Sequence, residues 1–191
     1  MKIFTIIAGV NGAGKSSFTG VAEVTLDDFG VRIDPDKIAA ELDLGALQGG
    51  KVVIKMINDC FEQGLNFTQE TTLSGKKTKR TIQRAREMGY HIRLFYIGLN
   101  DYDDHTYRIK NRVARGGHHI PNDVVQRRYA QRFKSLMEIL PLCDEVVLYD
   151  NDNGFVEVAE YVNGELLRKN GHSPQWLAEL EEYICELDQK N

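Results

Sequence analysis

The sequence predicts a three-layer α/β fold, a central and mainly parallel sheet with helices on both faces. Three observations predict it. Apolar, strand-like runs alternate with helix-like segments through residue 150, the pattern of successive βαβ units. The first run, Ile3-Phe4-Thr5-Ile6-Ile7-Ala8, is apolar almost throughout, as a strand buried on both faces must be. Directly after it comes Gly9-Val10-Asn11-Gly12-Ala13-Gly14-Lys15-Ser16, a complete G-x-x-x-x-G-K-S phosphate-binding loop (P-loop).

The remaining elements follow in order. Ser16 to Val24 continues the loop as a helix. Gly30 to Asp34 reads as a short second strand, and Pro35 opens a helix through Ala40 and Leu42, with Asp34 suited to cap it. Gly49-Gly50 is expected to break the chain before a helix from Val52 to Gln63. Leu65 to Glu70 is a third strand, Lys76 to Met88 a basic amphipathic helix, and His91 to Ile97 a strand. Asp101 to Val113 is expected to be helical, Arg115 to Pro121 a loop, and Asn122 to Leu140 one further helix. Glu145 to Asp150 is the last main strand. Asn163-Gly164 then marks a tight turn between strands at 155–161 and 165–168. Ser173-Pro174 starts a final helix to about Leu187, with Ser173 as N-cap. The whole chain, 1–191, is expected to form a single domain with an arginine-rich helical lid at about 108–134. A C-terminal extension, hairpin plus helix, occupies about 152–191.

Composition narrows the class. With 42% hydrophobic and 27% charged residues the chain reads as an ordinary soluble protein. No stretch approaches the roughly 20 apolar residues of a membrane span. The N-terminus runs straight into the first strand, which leaves no room for a removable signal peptide. Cys60, Cys143 and Cys185 are far apart and form no C-x-x-C pair, so they read as free thiols of a reducing cytoplasm. A net charge of −4 argues against a dedicated nucleic-acid binder.

The P-loop implies a bound nucleoside triphosphate. Its glycines, Gly9, Gly12 and Gly14, let backbone N–H groups of Asn11, Ala13 and their neighbours turn toward phosphate, and the helix behind adds its positive end through Ser16 and Ser17. Lys15 reaches the β- and γ-phosphates and the Ser16 hydroxyl is the expected Mg²⁺ ligand. Asp36, just beyond the second strand, is placed to accept the proton of an attacking hydroxyl; an aspartate at a helix start can instead serve the helix dipole, a role that Asp34 fits better. Glu70, at the carboxyl end of the third strand with Thr71 and Thr72 beyond it, can orient a substrate or hold Mg²⁺ through water; a solvated strand end is the plainer reading. The stretch 108–132 holds Arg108, Lys110, Arg112, Arg115, Arg127, Arg128 and Arg132 around a glycine-containing loop, the composition of a closing lid. Arg115 and Arg128 are the first candidates for phosphate, with Arg112 and Arg127 next. His118-His119 lacks a third metal ligand and reads as loop.

Two other nucleotide-dependent classes fit less well. No Asn-Lys-x-Asp guanine motif occurs, which speaks against a GTPase. Leu73-Ser74-Gly75 followed by Val146 to Asp150 resembles a transport-type ATPase signature with its metal-binding aspartate, but about 70 residues separate the two. A second basic cluster, Lys76, Lys77, Lys79, Arg80, Arg84 and Arg86, reads as the solvated outer face of its helix; contact with nucleic-acid phosphate is the alternative.

Taken together, Ile6 to Ser17, Ile33-Asp34-Pro35-Asp36-Lys37-Ile38-Ala39, Glu70-Thr71-Thr72-Leu73-Ser74-Gly75, Arg112 to Pro121, Arg127-Arg128-Tyr129 and Leu148-Tyr149-Asp150-Asn151 resemble the zeta toxin family of P-loop kinases. The likeness covers most of residues 1–168 and is greatest to the short, stand-alone bacterial branch. It implies an ATP- and Mg²⁺-dependent kinase that phosphorylates a hydroxyl of UDP-N-acetylglucosamine or a related nucleotide sugar. By position it implies Lys15 and Ser16 on ATP and Mg²⁺, Asp36 as base, Glu70 and Thr72 facing the sugar nucleotide, and Arg115 and Arg128 clamping phosphate. A small antitoxin protein is the partner it suggests. Larger members carry arginine where this chain has Ser74. A kinase for another hydroxyl compound, such as a nucleoside or an antibiotic, and an ATPase or switch without an acceptor remain the alternatives.

Overall fold

The computed structural model describes residues 1–43, 45–100, 120–169 and 171–189. Its centre is a seven-stranded sheet: β1 (Lys2–Ala8), β2 (Val31–Ile33), β3 (Phe67–Thr71), β4 (Tyr90–Gly98), β5 (Glu145–Asp150), β6 (Val156–Val162) and β7 (Glu165–Arg168). The strand order is β2-β3-β1-β4-β5-β6-β7. The first five are parallel, and β6 and β7 complete the sheet antiparallel. The helices are α1 (Lys15–Thr25), α2 (Pro35–Glu41), α3 (Ala46–Gln63), α4 (Lys77–Glu87), α5 (Asn122–Ala130), α6 (Arg132–Met137) and α7 (Gln175–Asp188).

The alternation along β1 explains the layers. Phe4, Ile6 and Ala8 enter one apolar cluster with Phe67 of β3, Ile82 of α4 and Leu94 of β4, whereas Ile7 joins Phe18 of α1, Phe95 and Val147 on the opposite face. Both faces are thus covered, which is why the strand reads as a continuous apolar run. Phe4 and Phe67 stack with centroids 4.3 Å apart where β1 pairs with β3. Each such fully buried side chain is worth about 1.5–3 kcal/mol in transfer from water.

Four local expectations need correction. Gly49-Gly50 does not break the chain but lies inside α3. A Cβ on Gly49 would come within 3.1 Å of Ala39 Cβ, so glycine there lets α2 and α3 pack closely, and this outweighs its helix cost of about 1 kcal/mol. The segment from Asn122 is not one helix to Leu140: α5 ends at Ala130, α6 at Met137, and Pro141 falls in a 3-10 turn, Leu140–Leu142. Ser173 does not cap α7; Pro174 occupies that position and the Ser173 hydroxyl accepts a hydrogen bond from Arg168. Finally, the C-terminal hairpin is no appendage, because β6 pairs directly with β5 and extends the central sheet. The expected helix at 101–113 lies outside the described residues, as does the loop to residue 119.

Candidate active site

The site grows from the carboxyl ends of β1, β2 and β3, where a doubly wound sheet places its ligands. Gly9, at φ 148°, sits so close to β4 that a Cβ would overlap the Ile97 carbonyl. Gly14, at φ 93°, would likewise collide with the Asn151 side chain. That asparagine donates its amide to Ala13 O at 2.8 Å, fastening the loop to the end of β5. Lys15 folds back and donates to Val10 O at 3.0 Å. Gly14 precedes α1 without any side-chain cap, so the N-terminal end of α1 presents backbone N–H groups at the loop.

Behind the loop lies a charged chain of contacts. The Ser16 hydroxyl donates to Glu70 Oε2 at 2.9 Å, and Arg32 donates to Glu70 Oε1 at 3.1 Å. Arg32 also pairs with Glu23 at 3.1 Å and stands 3.7 Å from Asp34. Burial, with the nearby Asp34 charge, pushes the Glu70 carboxyl above the usual range. Hydrogen bonds from Thr19 and Ser16, and the Lys15 charge, pull it the other way. Asp34 caps α2 by accepting from the backbone N–H groups of Asp36 and Lys37, both at 3.1 Å. With that capping done by Asp34, the Asp36 side chain is left exposed at the cavity mouth.

A cavity of about 780 Å³ spans the P-loop, α2, α3 and α4. Of the residues singled out in the sequence, Asn11, Gly12, Gly14, Lys15, Ser16, Ser17, Asp36, Glu70, Thr72 and Arg128 all line it. Gly9 and Ala13 shape the loop from behind. Arg128, on α5, donates to Asn11 Oδ1 at 3.0 Å. Burial draws its guanidinium below the ordinary value, the Asp36 carboxylate acts against this, and Arg127 adds to it. Arg127 itself is exposed and does not line the cavity. Arg112, Arg115, Arg108, Lys110, His118 and His119 lie outside the described residues.

Two residues expected to be bland surface belong here instead. Lys77 and Arg80 of the basic helix α4 line the cavity. The neighbours in that cluster behave differently: Arg84 bonds Asn58 and lies over Phe61, and Arg86 pairs with Asp144. Period-3.6 spacing could have separated Lys77, Arg80 and Arg84 as one face, but only the docking of α4 tells which end of it meets the cavity. Val53, Ile54 and Ile57 of α3 supply an apolar wall. The aspartate expected of a transport-type ATPase is otherwise engaged. Asp150 is 1% exposed, accepts from Trp176 Nε1 at 2.8 Å and lies 2.9 Å from His172 Nε2. Both of its oxygens serve to dock the C-terminal segment.

The fit for a nucleotide rests on the glycine loop, whose close approach to Ile97 and Asn151 leaves no room for a Cβ at Gly9 or Gly14. For Mg²⁺ it rests on a hydroxyl and a carboxylate, Ser16 and Glu70, within hydrogen-bond distance of each other beside it. Among the described residues no group of three or more His, Cys, Asp or Glu could hold a metal. Mg²⁺ at nucleotide sites needs no such cage, because phosphates and water supply most of its ligands.

Comparison with known proteins bears on these features. No family model matches the sequence. A protein of Haemophilus influenzae, described only as uncharacterized, is 34% identical over 126 residues, 63% of this chain and 88% of the relative. The chain belongs to the family of that protein. Among solved structures, a chain of the PezAT chromosomal toxin-antitoxin system of Streptococcus pneumoniae superposes with TM-score 0.63 at 18% identity, over 99% of this chain and 87% of that one. The AvrRxo1-ORF1:-ORF2 complex with ATP gives 0.69 at 17% identity, over 96% of this chain and 63% of that one. A putative kinase from Chloroflexus aurantiacus gives 0.53 at 11% identity, over 98% and 97%. At these identities the likeness establishes a shared fold. This chain has the α/β fold of P-loop kinases, among them those of toxin-antitoxin systems. No described helix is long and apolar enough to cross a membrane.

Proposed function

We propose that this chain is an ATP- and Mg²⁺-dependent kinase that phosphorylates a hydroxyl group of a small molecule, with UDP-N-acetylglucosamine or a related nucleotide sugar as acceptor. One observation carries the reading: Asp36, Lys15 and Arg128 share a single cavity that extends from the P-loop to residues of α3 and α4. A nucleotide switch needs room for water beside the γ-phosphate; a kinase needs room for a second molecule. The shared fold with a complex described with ATP and with a putative kinase supports it.

The roles follow from position. Lys15 and the loop amides would bind the triphosphate, and Arg128, fixed by Asn11, is the residue that would stabilise the transferring group. Ser16 and Glu70 are the groups that would hold Mg²⁺, which when bound neutralises charge on the phosphate oxygens. Asp36 takes the proton of the acceptor hydroxyl as the hydroxyl oxygen bonds to the γ-phosphorus and the bond from that phosphorus to the ADP oxygen breaks, releasing ADP. Thr72, bonded to Ser74 at 2.9 Å, faces the acceptor side. Lys77 and Arg80, for which the described residues supply no ion pair, suit an anionic acceptor such as a nucleoside diphosphate sugar. The likeness to a toxin-antitoxin chain supports a small protein partner.

The test is ADP release from ATP and Mg²⁺ with and without UDP-N-acetylglucosamine. Stimulation by the sugar nucleotide supports the whole reading. Stimulation only by another hydroxyl compound corrects the acceptor. Turnover indifferent to every acceptor favours an ATPase or switch.

A further inference from the structure

Gln69 lines the same cavity, on β3 between the fully buried Ile6 of β1 and Ile33 of β2. It is 8% exposed, and its side-chain oxygen Oε1 is buried without a hydrogen-bond partner among the described residues. Its surroundings make this notable. Glu70 is held by Ser16 and Arg32, Thr71 bonds Thr78 at 3.1 Å, and Thr72 bonds Ser74. Every other polar side chain along this strand end has a protein partner; Gln69 Oε1 has none. Thr5 Oγ1 is also unpartnered, but it does not line the cavity. A buried carboxamide left unpaired is destabilising, and an apolar side chain of the same volume would suit its isoleucine neighbours better. Rotation about the last side-chain bond exchanges the carbonyl and amino ends, so the one amide can offer the cavity a donor or an acceptor.

We propose that Gln69 is a specificity-determining residue for the acceptor. Its carboxamide, presenting either its amino or its carbonyl end, hydrogen-bonds one amide- or imide-type polar group of a substrate whose body lies along Val53, Ile54 and Ile57 and whose anionic part meets Lys77 and Arg80. The bound acceptor supplies the partner that the fold withholds. An acetamido group and a pyrimidine base both carry such a group. The choice of a sugar nucleotide as probe rests on the kinase reading; the unpaired amide does not.

The experiment compares wild type with Gln69→Met in two arms. In the first, the ligand-free melting temperature of Gln69→Met rises by about 3 °C, because an orphaned polar group is removed at nearly constant volume. A fall would mean that the amide stabilises the fold, and would overturn the proposal. In the second, KM for UDP-N-acetylglucosamine rises about tenfold in the variant while kcat changes far less, the loss of one hydrogen bond in binding. Equal KM values would overturn it. UDP-glucose, which keeps the uracil and lacks the acetamido group, separates the two sources of that group. If it loses affinity in the variant as UDP-N-acetylglucosamine does, the base is read; if it binds both proteins alike, the acetamido group is read. Should wild type use neither sugar nucleotide, the nucleotide-sugar reading fails, and the melting temperature alone decides the role of Gln69.

Discussion

Ser16 donates its hydroxyl to Glu70 Oε2 at 2.9 Å, joining the first residue after the P-loop lysine to the end of β3. The contact puts a carboxylate beside the hydroxyl that a Mg²⁺·triphosphate would meet, on a strand neighbouring the loop rather than on β5. Glu70 sits among opposing charges, Arg32 on one side and Asp34 on the other. Burial dominates and raises its proton affinity.

A Glu70→Gln variant therefore separates metal binding from stability. Mg²⁺-dependent ATP affinity is expected to fall about tenfold, the scale of a lost charge-assisted contact. The folded-state pKa of Glu70 is raised, so its contribution to stability is complete below the ordinary glutamate value of about 4.3 and is lost as pH rises through the raised value. Ligand-free Glu70→Gln should accordingly melt no lower than wild type at pH 8, with the difference closing toward pH 4. Arg32 keeps Glu23 and Asp34 in the variant. Thermal denaturation across that range, with calorimetric ATP titration at pH 8, checks both halves.

Arg128 is expected to act through charge at the transferring phosphate. An Arg128→Ala variant should lose about 10²–10³ in kcat, the usual scale for removing one transition-state donor, with a smaller change in KM for ATP. Arg128→Lys should recover little, because an ammonium cannot hold Asn11 and phosphate in the same fork. Steady-state kinetics of the pair decides it.

Trp176 locks the C-terminal helix onto the sheet. Its ring lies against Gly98, where a Cβ would overlap it, and its Nε1 donates to the buried Asp150. Trp176→Phe should leave Asp150 short of a donor and lower stability by about 1–3 kcal/mol. In a chain of this size that is a fall of roughly 3–10 °C in melting temperature. KM for ATP should be unchanged, since neither residue lines the cavity. Differential scanning calorimetry beside an ATP titration tests the separation.

Much of this was legible in the sequence because local patterns dictated it. The P-loop glycines, the apolar β1 and the Asp34-Pro35 helix start each carry their reason within a few residues. What eluded sequence reasoning depends on partners distant along the chain. Gly49 reads as a breaker until Ala39 is packed against it. Asp150 reads as a metal ligand until Trp176 and His172 reach it from α7 and the segment before it. Lys77 and Arg80 read as solvated surface until α3 stands opposite α4. Gln69 gives no sequence signal at all: only the register of β3 between Ile6 and Ile33 shows that its amide oxygen is stranded.

The central claim is that Asp36 activates an acceptor hydroxyl. Single-turnover phosphoryl transfer from ATP to UDP-N-acetylglucosamine in Asp36→Asn, at ATP concentrations shown by titration to saturate the variant, tests it most directly. The account predicts near wild-type ATP affinity and transfer slowed by about 10²–10⁴, the contribution of a positioned general base. Transfer at the wild-type rate in a variant that binds ATP normally would contradict it.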